Sequence, residues 1–500
     1  MPTRVALVLQ LKWQAGRVVS LYTSLIETDT GVSGRLIMGE EYEVFSYRWV
    51  VTAVFGLVLT IQNFLWLSFA PIESSVQTAL GVSATQVRLL ALVGPFMFIV
   101  VSSYAGSLSD NRGWKVSAGS GVAMMVIAGV VKAFTPYVIS SGTGQYWVYL
   151  LMQVLGGAGS AFALANLSKM PIKWFAVKQR ALGNGLTTMS VYLGTAIGLP
   201  LVIAIASIPK GASASVAQAG LNRVLIVVAI ITAASAALFY SLARENPPTP
   251  SGPISDEKVI PLKESFPMLM RLSAFRALCI VSLAGYGIYI GMTVTMEKIM
   301  GFHGFSTSFA SYVAAGITIG GIIGAGVLPS VSEKVGLRKP FLIVAGAVAI
   351  PAVLIIAFVG SRYLDLAAAI IMGFFLLPAL PITFTMVGEM PEIGPRLAAT
   401  AVGTLLAVGS IGSAFIPLLM AVLGKKVPSS EIAARSLQSG AIDYRWAIIF
   451  LAGLGVAAVV AVVLAVKETG PKGRAEATPV REPVPEPQGA GPMAASEDEP

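Results

Sequence analysis

The chain has 500 residues, of which 55% are hydrophobic and only 12% charged, roughly half the charged share of a soluble domain. An aqueous fold cannot hide that much apolar surface, so most of it must face lipid. The net charge of +9 is scattered among short connectors rather than gathered in a stripe, which excludes a nucleic-acid groove and reads as topology signalling near anionic headgroups. A single cysteine, Cys279, excludes a disulfide framework or a thiolate metal site within one chain. A single histidine, His303, leaves haem ligation, metal catalysis and a histidine proton relay without their usual parts. No metal and no cofactor is expected, and no nucleophile–base pair points to an enzyme.

In chain order, residues 1–37 form neither a convincing signal peptide nor a full span, and Met38 opens a short polar lead that reads as the native start; residues 1–45 are taken as an N-terminal extension. Twelve apolar runs follow, at about 49–70, 85–105, 116–134, 147–168, 181–206, 222–243, 275–296, 307–328, 340–359, 366–387, 397–423 and 446–466. Each is long enough to cross a bilayer as a helix, and none alternates in polarity as a barrel strand would. The expected fold is an all-α integral membrane protein, twelve transmembrane helices in two six-helix pseudo-symmetric halves, 46–243 and 275–466. Between the halves, residues 244–274 read as a Pro- and Ser-containing cytoplasmic linker with a short amphipathic helix near Glu264–Arg271, and residues 467–500 as a disordered tail. Basic residues such as Arg112, Lys115, Lys169, Lys173, Lys178, Arg180, Lys334, Arg338 and Lys339 favour one side. Arg88 and Lys132 fall at span ends on the other. That bias places both termini in the cytoplasm of a multi-pass protein of the cell membrane, plasma or inner, working as a monomer.

An internal repeat supports the two halves. "GVSATQVRLLALVG" at 81–94 has a counterpart in "GFSTSFASYVAAG" at 304–316, an offset of 223, and "SDNRGWK" (109–115) then falls on "SEKVGLR" (332–338). Asp110 matches Glu333, Gly113 matches Gly336 and Lys115 matches Arg338. A looser echo sets "KMPIKWFAVKQRALG" before the fifth run beside "EMPEIGPRLAATAVG" before the eleventh.

Two parallel six-helix halves with charged turns after the second and eighth helices resemble the major facilitator superfamily over residues 46–466. Gly106, Leu108, Ser109, Asp110, Gly113 and Lys115 fit that family's signature turn; Asn111, Arg112 and Trp114 depart from it. The resemblance implies that Asp110 meets the start of the eleventh helix, whose dipole favours an anion, with Arg180 as a second partner, and that such contacts hold the cytoplasmic side shut. Arg112 also reads as a positive-inside anchor. Gly106, Asp110, Arg112, Gly113, Lys115, Arg180, Glu333, Gly336 and Arg338 are the gating candidates.

"QNFLWLSFAPI" in the first run, "GSGVAMMVIAGVVKAF" in the third and "SKMPIKWFAVKQRALGNGLTTMSVYLGTAIGLPL" around the fifth resemble the choline/haem transporter family related to the feline leukaemia virus subgroup C receptor. There Trp66 falls on a tryptophan that stacks on a quaternary ammonium. The family's helix 5 glutamine becomes Tyr192, its helix 7 tyrosine falls near Val294, and its helix 11 glutamine has no counterpart. No intramembrane histidine offers to ligate haem.

Intramembrane polar residues are functional candidates by default. Gln62, Trp66, Phe69 and Glu73 share a helical face, with Asn63 adjacent; Tyr286, Tyr289 and Thr293 share another, as do Thr188, Tyr192 and Thr195. Gln62, Asn63, Trp66, Gln153, Tyr192, Tyr286 and Tyr289 are therefore the substrate-cavity candidates. No charge sits at the midplane, and Glu73 and Glu297, near the far boundary, are the possible coupling groups. Gly185, Gly194 and Gly198 keep part of an antiporter spacing, or serve close helix packing. The expected function is a secondary transporter moving a small solute across the lipid bilayer by alternating access. The alternatives are a transport-inactive receptor or sensor, and a proton- or exchange-coupled organic-anion or drug antiporter.

Overall fold

Among the described residues, twelve helices are long and apolar enough to cross a membrane: Arg48–Leu80, Thr85–Arg112, Trp114–Val138, Gly142–Trp174, Arg180–Ala206, Ala214–Leu242, Ser273–Phe302, Phe309–Val335, Lys339–Phe358, Arg362–Glu389, Gly394–Leu423 and Arg445–Ala465, here spans 1 to 12. The computed structural model describes residues 45–209, 212–249, 260–427 and 442–473, all within the unit Val44–Pro500. The proposed start at Met38 and the chain beyond Gly473 lie outside them.

The backbone repeats as the sequence does. Ser83 caps span 2 through Gln86 in a reciprocal capping box, and Ser306, at the matching position, caps Phe309 at the start of span 8. Both spans end at a glycine of positive φ, Gly113 at 99° and Gly336 at 75°, a backbone that a side chain would strain. The face carrying these two reversals is called the turn face below.

Span 1 departs from the expected single helix. Its α-helix is Arg48–Leu67, followed by a 3-10 turn, Ala70–Ile72, and a second helix, Glu73–Leu80. Pro71 has no N–H to continue the ladder, so Phe69 and Glu73 do not extend the face begun by Gln62 and Trp66. Spans 4 and 10 are also interrupted, after Leu164 and after Leu376.

Apolar side chains such as Leu92, Phe96, Val100, Ile230, Ile319, Ile323 and Leu418 are exposed along the outer faces of the spans, where lipid rather than water would solvate them. Between spans the backbones approach closely at small residues. A Cβ added at Gly121 would strike the Gly159 carbonyl, and one at Gly324 the Phe374 carbonyl. Gly185 and Gly194 serve the same end, against Ala325 of span 8 and Thr60 of span 1.

The linker helix runs Leu262–Arg271 and buries Ser265 and Leu269. The start of the tail is a correction to the expectation of disorder from Lys467: residues 467–473 pack back on the second charged turn, with the Lys472 amide donating to the Gly336 carbonyl at 3.2 Å. The reason is electrostatic, as the site geometry makes plain. Two short strands, Lys425–Lys426 and Ile442–Asp443, pair antiparallel between spans 11 and 12.

Candidate functional site

On the turn face, Asp110 at the end of span 2 reaches across to the opposite half. Its Oδ1 accepts from the Ala399 amide at 3.2 Å, and its Oδ2 from the Thr400 amide at 2.7 Å and the Thr400 hydroxyl at 2.8 Å. These amides belong to the second turn of span 11 (Gly394–Leu423), one turn deeper than its free N–H groups. A cation on Asp110 is Lys169: its ammonium lies 2.6 Å from Oδ1 and also donates to the Pro395 carbonyl. Arg180 is buried at the first residue of span 5. Gly106 is needed for the approach, since a Cβ there would enter the Ala399 carbonyl.

The equivalent turn in the second half does related work with other residues. The Glu333 carboxylate accepts from the amides of Ala181 and Leu182, the free N–H groups at the start of span 5. Arg338, fully buried, pairs with Glu389 at 3.0 Å and donates to the Ser332 hydroxyl at 3.0 Å. Thr469, from the start of the tail, donates to Glu389 at 3.2 Å.

Each turn is also capped by an acid beyond its half's last span. Glu245 accepts from the Trp114 amide at 3.1 Å and the Lys115 amide at 2.7 Å, and pairs with Lys173 at 2.8 Å. Glu468 accepts from the Arg338 amide at 2.8 Å and the Lys339 amide at 3.0 Å. A carboxylate at a helix start satisfies orphan donors and meets the positive end of the dipole. Gly113 leaves room for that acid, because a Cβ there would sit 2.6 Å from the Glu245 Oε1. Arg112 is exposed and Lys115 contributes its backbone.

Further hydrogen bonds join the halves toward this face. Asn184 donates to Thr385 at 2.6 Å, Ser168 to the Phe384 carbonyl at 3.1 Å, and Ser103 meets Thr404 at 3.2 Å, ~14 Å in from the end of span 2.

The cavity candidates separate into two groups. Gln62, Trp66 and Gln153 line a small cavity of about 20 Å³ inside the first half, with Ser160 and Gly94. The Trp66 indole donates to the Ala91 carbonyl at 2.8 Å, so its polar edge is used within that half. Asn63 is a tie between spans 1 and 5, donating to the Val191 carbonyl at 2.9 Å and accepting from Thr195 at 3.4 Å. The second group lies between the halves. Tyr192 of span 5 is buried in an apolar cluster of the second half, against which Tyr289 packs, and it lies within electrostatic reach of Tyr286 and Tyr289. At 1.5 Å per residue these rings sit ~18–24 Å from the turn face, near mid-depth. Tyr286 packs on Gly409 of span 11, and the Tyr289 hydroxyl meets Thr318 of span 8 at 3.4 Å.

The coupling candidates lie elsewhere. Glu73 pairs with Arg88 at 3.1 Å, and Glu297 is exposed near the end of span 7. Lys132 is a correction in the other direction: the residue placed at a span end is 1% exposed, buried among spans 1, 3 and 4.

A family model for the Major Facilitator Superfamily matches residues 49–417, the stretch that carries both carboxylate latches. The chain belongs to that superfamily. It is 27% identical to Solute carrier family 49 member A3 of Xenopus tropicalis over 57% of its own length and 58% of that protein's. It is also 26% identical to Choline/ethanolamine transporter FLVCR1 of Felis catus, over 31% of its own length and 27% of that protein's. The chain thus spans less than two thirds of these relatives. Among solved structures, the superfamily transporter FucP in its outward conformation matches 84% of this chain and 99% of its own, with TM-score 0.65 and 14% identity. That likeness concerns the fold.

Four latch residues escaped the reading of the sequence, and each had left a signal. Glu245 and Glu468 stand at the same 223-residue offset as the turns, in "ARENP" and "VKETG". Lys169 and Glu389 are the residues before the two Met-Pro echoes, with the charge reversed. Lys132 left none, because a lysine near a span end looks like an interface anchor until its neighbours are known.

Proposed function

We propose that this superfamily member is a secondary transporter that carries a small neutral or amine-bearing organic solute by alternating access between residues 46–243 and 275–466. The observation that carries the reading is the pairing of a closed turn face with an aromatic group at mid-depth between the halves: Tyr192 from one half, Tyr286 and Tyr289 from the other. A solute held there would touch both halves and so sense their relative movement. Tyrosine faces suit an amine through cation–π attraction, and their hydroxyls suit a neutral polar solute. The likeness to Choline/ethanolamine transporter FLVCR1 makes choline and ethanolamine the first probes. On this reading the protein works in the cell membrane as a monomer, with the turn face, linker and both termini cytoplasmic. Transport on this reading is uncoupled or exchanging, since among the described residues no carboxylate accompanies the tyrosines.

The test is uptake of radiolabelled choline, ethanolamine and a panel of neutral solutes by proteoliposomes, with and without a pH gradient. Saturable uptake that needs no gradient and falls at least tenfold in Tyr286→Ala supports the reading. Accumulation only under a pH gradient overturns the uncoupled mechanism. Tight binding with no flux replaces the transporter by a receptor.

A further inference from the structure

Lys132 sits 18 residues into span 3, ~27 Å from the turn face. Its ammonium donates to the Leu65 carbonyl at 3.2 Å and to Gln153 Oε1 at 2.9 Å, and lies 5.4 Å from the centre of the Phe69 ring. Leu65 is in the last turn of the helix Arg48–Leu67, where span 1 bends, and its carbonyl also accepts from the Ser68 hydroxyl at 3.0 Å. The end of a helix carries partial negative charge, and a cation there is favoured.

Gln153 extends the grip. Its amide donates to the Trp66 carbonyl at 3.3 Å and to the Leu90 carbonyl at 3.1 Å, beside the indole bond from Trp66 to Ala91. One cation thus ties the bend of span 1 to spans 2, 3 and 4. The groups around it are neutral or already matched. Glu73, beyond Phe69, pairs with Arg88. Tyr149 of span 4 packs on Phe69 at 5.5 Å, with its hydroxyl 3.5 Å from Gln145. Span 6 approaches through Ala229, opposite Gly129. A methionine would fill this space without desolvating a charge, so the lysine carries a cost that its bonds to Leu65 and Gln153 must offset.

We propose that Lys132 is a positioning residue of the transport cycle: its positive charge clamps the bend of span 1, and with it Gln62 and Trp66, to the first half. The clamp is a second charge-dependent fastening, inside one half and far from the turn face, whereas the Asp110 latch joins the two halves. Its consequence for flux rests on the transporter reading; the clamp itself is a property of the fold and is measured without a solute.

The experiment is hydrogen–deuterium exchange of the peptide 64–80 in the full chain in lipid nanodiscs, comparing wild type with Lys132→Met, which keeps the bulk, and Lys132→Arg, which keeps the charge. Exchange should rise about tenfold in the methionine variant and stay within about twofold of wild type in the arginine variant. Equal exchange in Lys132→Met and wild type overturns the proposal, as does equal loosening in both variants, which would make Lys132 a packing residue. Should Lys132→Met fail to fold, Gln153→Leu takes its place: loosening of the same peptide supports the clamp, and unchanged exchange refutes it. In proteoliposomes that take up choline or ethanolamine, Lys132→Met should lower the maximal rate about tenfold with half-saturation within about twofold. A change confined to half-saturation would make Lys132 a solute ligand and overturn the positioning role.

Discussion

At the turn after span 2 one carboxylate, Asp110, both neutralises a buried cation, Lys169, and accepts from the amides of span 11. At the turn after span 8 those tasks fall to different residues: Glu333 holds the start of span 5, while Arg338 and Glu389 form the buried pair. The signs of the pair are exchanged between the halves, yet in both an acid crosses to backbone amides of the other half. The reason is that it must face backbone N–H groups, which only an acceptor can satisfy. Symmetry therefore constrains the latch, and leaves the sign of the supporting ion pair free.

The largest expected effect tests that asymmetry. Asp110→Asn leaves Lys169 buried without its counter-charge, and a melting curve should show a loss of about 3–5 kcal/mol, with flux abolished. Charge exchange sharpens the point. Asp110→Lys combined with Lys169→Asp should recover no flux, because lysine cannot accept from Ala399 and Thr400. Arg338→Glu combined with Glu389→Arg should recover most of the stability lost by either single change, with Glu333 still on span 5. Recovery in both halves would show that the ion pairs, not the amide contacts, carry the latch.

Removing the helix caps comes next. Glu245→Ala and Glu468→Ala should each cost about 1–2 kcal/mol in denaturation of the reconstituted protein, with little help from the partly exposed Lys173 pair. A silent Glu468→Ala would remove the tail's start from the second turn. Glu333→Gln keeps an acceptor and should lose only ~0.3–1 kcal/mol, seen as a small shift in melting temperature.

The smallest effect lies away from the turns. His303, just past span 7, contacts the Ala357 carbonyl at 3.1 Å, and burial holds its imidazole below the usual histidine range. The unfolded chain therefore takes up a proton before the folded one does. Stability contributed by neutral His303 is complete above the ordinary histidine value and is lost as pH falls through the folded one. His303→Asn should flatten the decline in melting temperature below about pH 6.5, measured in steps toward pH 5; an unchanged slope would assign that decline to other groups.

Much of this was legible in the chain. The twelve spans follow from apolar run lengths, because a backbone in lipid must satisfy its own hydrogen bonds and a helix does so locally. The repeat of Ser83–Gly113 in Ser306–Gly336 fixed the two halves, and it foretold Asp110 on span 11 through a resemblance that named the partner helix. It did not single out Lys169 as a cation on Asp110, since sequence offers the sign of a charge and no distance. The same limit governs the cavity: Gln62, Trp66 and Tyr192 read as one site until packing put the first two inside one half and the third between the halves.

Local properties, namely span length, helix caps and the positive-φ glycines of the turns, were determined by the sequence alone, because each depends on neighbours a few residues away. Which charges meet was decided by tertiary structure. Asp110 and Thr400 are 290 residues apart in the chain, and Lys132 becomes a clamp only where span 1 bends beside it. Electrostatic contacts of this kind depend on a few ångströms of separation and on the exclusion of water, and both are created only when the helices pack.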